Sequence, residues 1–261
     1  MHKAKVPKPK TQTPSKLKKT SSHEKPNPVL KMTTTTTTTT FTAFYNTWSD
    51  QLHHLLRQLC SAPKPPTMQD HLHHLNHLVT KLLSHYSEYY RVKAAAAERD
   101  VFDIFAAPWA SSLEKSLHWI AGWRPTTVFH LVYTESSILF ESHIVDILRG
   151  VRTGDLGDLS PSQFRRVSEL QCETVKEENA ITDELSEWQH SVTDLVGSFT
   201  DAEQMIGRLV SIVQKADDLR LRTLKRVVDL LTPQQAVEFL IAAAELQFGI
   251  REWGLNQDRQ V

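Results

Sequence analysis

The chain has 261 residues, of which 40% are apolar, and its 30 basic and 30 acidic side chains cancel to a net charge of zero. The charges are unevenly placed, because residues 1–40 carry nine lysines and one acid, a net charge of +8, and residues 41–261 therefore carry −8. An acidic folded part opposes contact with nucleic-acid phosphates. No segment has the roughly 18–20 apolar residues that a membrane span needs, so a membrane protein is not expected.

The first forty residues differ in composition from the rest. They contain five of the twelve prolines, eight consecutive threonines and almost no large apolar side chains. Such a segment cannot bury enough surface to offset the entropy of ordering it. Residues 1–40 are therefore predicted to be a disordered tail, and residues 41–256 a single folded domain. Met32 is a second candidate for the translation start.

No secretory signal is visible, and the two cysteines match no disulfide spacing. The expected location is the nucleus or the cytoplasm, with the lysine-rich residues 16–19 as a weak nuclear address or a solvated tail.

From residue 41 onward, apolar residues recur three and four positions apart, which is the helical spacing. The first predicted helix spans residues 41–59 and ends at the proline-rich segment 61–66. The second begins near Leu72 and is predicted to continue through the alanine block at 94–97 until Pro108 ends it.

A third, short helix begins at Ser111, where the hydroxyl can cap the helix while the Glu114 side chain reaches back. Gly122 is predicted to end it. Its predicted apolar face consists of Leu113, Leu117 and Ile120. A fourth helix follows Pro125, and residues 150–159, with three glycines, are predicted to form an exposed loop.

Two later helix starts share one pattern. Ser160 and Thr232 are each followed by proline at the first helical position and by a glutamine that closes a capping box. Between these two helices, apolar spacing from Ile206 to Val228 predicts another. The fold class is therefore all-α, a single bundle of about six or seven helices with short connections.

Four segments carry a family resemblance: FYNTWSDQLHHLLRQL, HYSEYYRVKAAAAERDVFDIF, WASSLEKSLHWIAGWRPT and QKADDLRLRTLKRVVDLLTPQQAVEFLIAAAEL. In order and spacing they resemble the Delay of Germination (DOG) domain of plants, which also forms the C-terminal part of TGA-class bZIP transcription factors. The resemblance implies a non-enzymatic regulator of seed dormancy and abscisic-acid responses. It implies protein partners, namely type 2C protein phosphatases or transcription factors.

Two alternative functions remain open. The first is transcription regulation in association with DNA, although a bZIP protein needs a basic helix leading into leucine heptads. Here the basic tail is interrupted by prolines and no heptads follow it, so direct, sequence-specific DNA binding is not expected. The second is a sensor of haem or an apolar ligand. The sequence does not fix the oligomeric state.

Histidines are the candidate metal and haem ligands. His73 and His77 have the i, i+4 spacing of a metal site, but they lie opposite the apolar stripe and no carboxylate or cysteine joins them, which favours a solvated face. The resemblance associates haem with histidines late in the chain, yet none follows His190. His118 is the remaining weak haem candidate, and no cofactor is expected to be required.

The tryptophans near the third helix are predicted to be structural anchors, because tryptophan is highly buried on average. They are Trp109, Trp119 and Trp123, followed by Arg124, which turns the chain toward the next helix. A partner site is predicted on the first helix, at Tyr45, Trp48 and Leu52, with packing on the bundle as the alternative. No catalytic motif is present, and the adjacent acids Glu177 and Glu178 are interpreted as a solvated face.

Overall fold

The computed structural model describes residues 28–191 and 199–260, with side chains from 41 to 191 and from 202 to 260. These residues form nine α-helices and one short 3-10 turn, and they contain no β-strand, which confirms the all-α class. The helices are α1 (Pro28–Ser61), α2 (Gln69–Arg99), α3 (Val101–Ala106), α4 (Ser112–Ser116), α5 (Thr127–Ser142), α6 (Ile144–Leu148), α7 (Pro161–Ser191), α8 (Phe199–Leu230) and α9 (Pro233–Asp258). The 3-10 turn is Leu156–Asp158.

The described residues contain more helices than the six or seven predicted, because α3 and α6, of six and five residues, are separate helices. The spacing predicted one helix from Leu72 to Pro108, but Asp100 interrupts it. The Asp100 carboxylate accepts the Asp103 N–H at 3.0 Å and so starts α3 as a separate helix. His143 separates α6 from α5 in the same region of sequence that the periodicity assigned to one helix.

The prediction of a disordered tail over residues 1–40 falls largely on residues 1–27, which lie outside the described part of the chain. Helix α1 begins at Pro28 and so extends further toward the N-terminus than residue 41, where the apolar stripe starts. Elongation adds one backbone hydrogen bond per residue without requiring an apolar side chain, so a helix can extend beyond the residues of its apolar stripe.

Three predicted helix starts are confirmed. The Ser111 hydroxyl accepts the Glu114 N–H, and the Glu114 carboxylate accepts the Ser111 N–H at 2.8 Å. The same reciprocal pair joins Thr232 to Gln235. At Ser160, the Gln163 side chain accepts the Ser160 N–H at 3.0 Å. Local hydrogen bonding fixes these starts, so the local sequence identifies them.

The buried apolar residues form one cluster that draws on helices from α1 to α9. Helix α2 lies at its centre and packs against α1, α8 and α9, while α7 lies along α8. The predicted exposed loop at 150–159 is wrong in its second half, since Leu156 is buried and its N–H donates to Glu238 at 2.9 Å. Among the described helices, none is long and apolar enough to cross a bilayer.

Candidate functional site

The segment between α4 and α5 is a loop, residues 117–126, which we call the tryptophan loop. Helix α4 ends at Ser116 instead of continuing to Gly122 as predicted. Ile120 and Ala121 then adopt left-handed backbone angles, with φ of 47° and 58°. The predicted face of Leu113, Leu117 and Ile120 therefore does not exist, because Leu117 is exposed while Ile120 is buried in the loop.

Arg220 of α8 holds the tryptophan loop in this conformation. Its guanidinium donates to the carbonyl oxygens of Trp119, of Ile120 at 2.8 Å and of Trp123 at 2.5 Å. The guanidinium also lies over the Trp119 ring, 5.3 Å from its centroid. A Cβ atom at Gly122 would lie 3.0 Å from the guanidinium carbon, so glycine is needed there for close approach.

A buried charge cluster, which we call the Lys93 cluster, consists of Lys93, Asp217 and Arg220. The Lys93 ammonium donates to Asp217 Oδ1 at 3.0 Å and to the Ala121 carbonyl at 2.7 Å. Arg220 Nη1 donates to the same Asp217 oxygen at 2.5 Å. All three side chains are buried, with Lys93 only 1% exposed. Two cations therefore share one carboxylate, which leaves the cluster with a net positive charge.

Sequence reasoning missed the Lys93 cluster, although a signal was present. Asp217 and Arg220 lie on the apolar stripe of α8, four and seven residues after the buried Val213. Lys93 likewise falls three residues after Tyr90, on the stripe of α2. A charge on an apolar face is expected to be paired, because an unpaired buried charge is costly.

Burial and the neighbouring charges of the cluster lower the pKa values of two basic groups. Burial lowers the pKa of Lys93 to about 8, an effect that Asp217 opposes and Arg220 reinforces. Burial, followed by repulsion from Lys93, Arg220 and Lys115, lowers the pKa of His118 to about 4. At neutral pH the His118 imidazole is therefore neutral, and it lies in a region of positive potential.

A cavity of about 150 Å³ adjoins the Lys93 cluster and the tryptophan loop. Lys93, His118 and Arg220 line one part of it. Aromatic side chains dominate the rest of the lining: Tyr45, Trp48, Tyr86, Tyr89, Tyr90, Trp109 and Trp123. The hydroxyl groups of the described lining are those of Thr127 and the four tyrosines, and no serine or cysteine is among them. Because aromatic side chains predominate, the arrangement is suited to binding.

Three of the four predicted anchors make specific contacts in or near this cavity. Trp109 is buried and packs edge-to-face on Phe41 with ring centroids 4.4 Å apart. Trp119 is partly buried and donates its indole N–H to the Thr182 hydroxyl at 3.0 Å. The Trp123 side chain is partly buried in the cavity wall.

The fourth predicted anchor, Arg124, has a half-exposed side chain that lies 5.8 Å from the Trp119 ring centroid. It also lies near Glu178, which corrects the interpretation of Glu177 and Glu178 as one solvated face. Glu177 is exposed, but Glu178 is buried and accepts the N–H of Thr126 at 2.7 Å and its hydroxyl at 3.2 Å. Helix α7 therefore fixes the end of the tryptophan loop.

The prediction of a partner site at Tyr45, Trp48 and Leu52 is wrong for this fold. These side chains are 4%, 3% and 0% exposed. The Trp48 indole N–H donates to the His85 carbonyl at 3.0 Å, and the His85 ring stacks on the indole. The stripe of α1 therefore packs against α2, so a partner cannot contact it without separating the two helices.

The histidine candidates are also placed by the structure. His73 and His77 are exposed on α2, and the described residues contain no group of three or more side chains able to hold a metal. His118 is the one histidine among the described residues lining the cavity, but haem does not fit there. The cavity of about 150 Å³ is below the roughly 300–1,000 Å³ of pockets for drug-sized ligands, and haem needs a large pocket.

A second surface feature lies at residues 138–151, which we call the α5–α6 ridge. Its apolar side chains are exposed, with Leu148 80% and Val145 54% exposed to solvent. Helix α6, with the sequence IVDIL, has no buried residue. The exposed large apolar residues of the ridge are Ile138, Phe140, Ile144, Val145, Leu148 and Val151.

Comparison with known proteins agrees with the resemblance seen in the four sequence segments. The family model DOG1, described as seed dormancy control, matches residues 51–134. Protein DOG1-like 4 of Arabidopsis thaliana is 33% identical over 231 residues, which cover 82% of this chain and 91% of the relative. Protein RESPONSE TO ABA AND SALT 1 of the same plant is 28% identical over 235 residues, covering 81% of this chain and 94% of the relative.

Transcription factor TGA1 of Arabidopsis thaliana is 27% identical over 218 residues, which cover 78% of this chain but 52% of the relative. The fold and these similarities define a helical regulatory domain. The chain belongs to the DOG1 family of seed dormancy control.

Proposed function

We propose that this protein regulates seed dormancy and abscisic-acid responses by binding type 2C protein phosphatases through the α5–α6 ridge. Membership of the DOG1 family supports the dormancy role, and the name of the similar protein RESPONSE TO ABA AND SALT 1 supports the link to abscisic acid. The residues lining the cavity and the family relationship both favour binding over catalysis.

The observation that carries the proposed surface is that α6 is apolar but contributes no buried residue to the fold. A helix of this composition costs solvation free energy unless another surface covers it. Large contiguous patches of exposed apolar residues are rare on monomeric proteins, and they often mark protein interaction sites. The ridge therefore replaces the stripe of α1 as the surface for partner contact.

The test measures binding of a purified seed type 2C phosphatase by isothermal titration calorimetry. Leu148→Glu and Val145→Glu are each expected to weaken binding at least tenfold, as a charge at a buried hot spot would. Met68→Glu is the matched control, since Met68 is also exposed, at 61%, but lies before α2. Equal affinity for the wild type and Leu148→Glu would contradict the proposal, as would the absence of phosphatase binding by the wild type.

A second candidate function is transcription regulation in the nucleus, together with DNA-bound transcription factors. The similarity to TGA1 favours it, because that relative is a transcription factor. The net charge of −8 on residues 41–261 makes direct DNA contact by the helical domain unfavourable. In a mobility-shift assay, we expect weak binding that disappears when residues 1–40 are removed. A shift that survives both this removal and moderate salt would contradict an indirect role.

A further inference from the structure

The aromatic cavity has an excess of positive charge at one end. Its charged lining residues are three cations, Lys93, Arg124 and Arg220, and one anion, Glu114. The negative charge of Glu114 is already paired, because Arg251 Nη1 lies 3.3 Å from its carboxylate. Asp217 compensates only one of the two cations that it contacts. The fold therefore buries positive charge beside an open volume.

The two buried cations retain hydrogen-bond donors for a ligand. Lys93 has three N–H bonds and uses two of them, for Ala121 and Asp217. Arg220 has five N–H bonds and makes four hydrogen bonds to described residues. An anionic group at this end of the cavity would accept the remaining donors and balance the buried charge.

The rest of the cavity has a lining and a volume that match a single cyclic group. Its wall is built from tyrosine and tryptophan side chains, whose faces and edges pack well against aromatic or flat cyclic groups. A dry, engineered protein cavity of about 150 Å³ holds benzene, and this cavity has a volume of about 150 Å³. Arg124 lines the cavity and its side chain is half exposed, so the cavity reaches the surface beside the tryptophan loop.

We propose that this cavity binds a small carboxylic acid with a single ring, the carboxylate contacting Lys93 and Arg220 and the ring lying among the tyrosine and tryptophan side chains. This site is separate from the α5–α6 ridge and does not depend on phosphatase binding. The bound carboxylate would lie beside the tryptophan loop, whose carbonyl groups contact the same two cations.

The first experiment compares three probes by isothermal titration calorimetry with the full-length wild-type chain at pH 7. Benzoate supplies both the ring and the charge, benzamide supplies the ring without the charge, and acetate supplies the charge without the ring. We expect benzoate to bind with a Kd on the order of 1 mM or tighter, and at least tenfold more tightly than either other probe. Equal binding of benzoate and benzamide, or no benzoate binding, would overturn the proposal.

Two variants then locate the site. Lys93→Met removes the ammonium and is expected to weaken benzoate at least tenfold while leaving benzamide unchanged. Ala243→Phe leaves the Lys93 cluster intact and fills the cavity, since Ala243 lines it, so it is expected to abolish binding of both ring compounds. Ala95→Phe is the matched control on an exposed position of α2 outside the lining. Benzoate binding that is unaffected by Ala243→Phe would place the ligand elsewhere and refute the assignment.

Discussion

Lys93 of α2 and Asp217 of α8 form a buried ion pair, 124 residues apart in sequence, with 3.0 Å between the ammonium nitrogen and Oδ1. The pair joins two central helices, and through the Ala121 carbonyl it also fixes the tryptophan loop. Because Arg220 contacts the same carboxylate oxygen, one anion compensates two cations. Removing Asp217 should therefore cost more stability than removing Lys93.

Asp217→Asn is expected to lower the free energy of unfolding by about 3–5 kcal/mol, because it leaves two buried cations without an anion. Lys93→Met is expected to cost less, about 0–2 kcal/mol, because Asp217 and Arg220 remain as a balanced pair. Urea denaturation of both single variants and the double variant measures these values. Equal losses in the two single variants, or full additivity in the double variant, would contradict a shared charge cluster.

Stability is also predicted to depend on pH through Lys93. Its pKa is about 8 in the folded chain and near 10.5 ordinarily, so between these values the unfolded chain binds more protons. The free energy of unfolding contributed by this group therefore rises with pH in that window and stays at its lowest value below about pH 8. The groups around the ammonium are Asp217 and Arg220 from α8 and His118 from the tryptophan loop.

The measurement is the stability of the wild type relative to Lys93→Met at pH 8 and at pH 9.5. From pH 8 to pH 9.5, the free energy of unfolding of the wild type relative to Lys93→Met is expected to increase by about 2 kcal/mol, at roughly 1.4 kcal/mol per pH unit. Above pH 10 both proteins should lose stability as the pH rises, because burial raises the pKa of the tyrosines beside the cavity. A difference that does not change with pH would show that the Lys93 pKa is not lowered.

Gly122→Ala is expected to destabilise the chain by about 1–3 kcal/mol, because the added methyl group displaces the Arg220 guanidinium from the loop carbonyls. Gly249→Ala in α9 is the matched control, since a Cβ there meets no atom within 4 Å. That control should be neutral or more stable than the wild type by up to about 1 kcal/mol, from helix propensity. Thermal unfolding followed by circular dichroism compares the two, and an equal effect would contradict the close approach at Gly122.

The two adjacent acids on α7, Glu177 and Glu178, are predicted to differ strongly in their contribution to stability. Glu178→Ala removes the buried acceptor of the Thr126 N–H and is expected to cost about 1–3 kcal/mol. Glu177→Ala removes only an exposed ion pair with Arg222 and is expected to change stability by less than about 0.5 kcal/mol. Chemical denaturation of both variants tests the contrast, and a smaller loss for Glu178→Ala than for Glu177→Ala would overturn it.

The sequence was sufficient where structure is decided by nearby residues. Capping boxes at Ser111 and Thr232 close over three residues, so their pattern identifies the helix starts. The end of α4 is decided instead by Arg220, about one hundred residues away, which holds the left-handed turn at Ile120. Periodicity treats each helix alone and cannot represent such a contact.

The same limit explains the error about the partner surface. Periodicity identifies an apolar stripe on α1, but it does not say which element covers that stripe. In the structure α2 covers it through the contacts of Trp48 with His85. Helix α6, which no element buries, was treated in the sequence as the continuation of a larger helix, so its exposure could not be predicted.

Hydrogen–deuterium exchange with and without a type 2C phosphatase shows whether the α5–α6 ridge contacts this partner. We expect amide exchange to slow in residues 138–151 of the complex, while the buried part of α1 from Phe41 to Leu59 exchanges at the same rate in both samples. Slower exchange confined to other segments, with residues 138–151 unchanged, would contradict it.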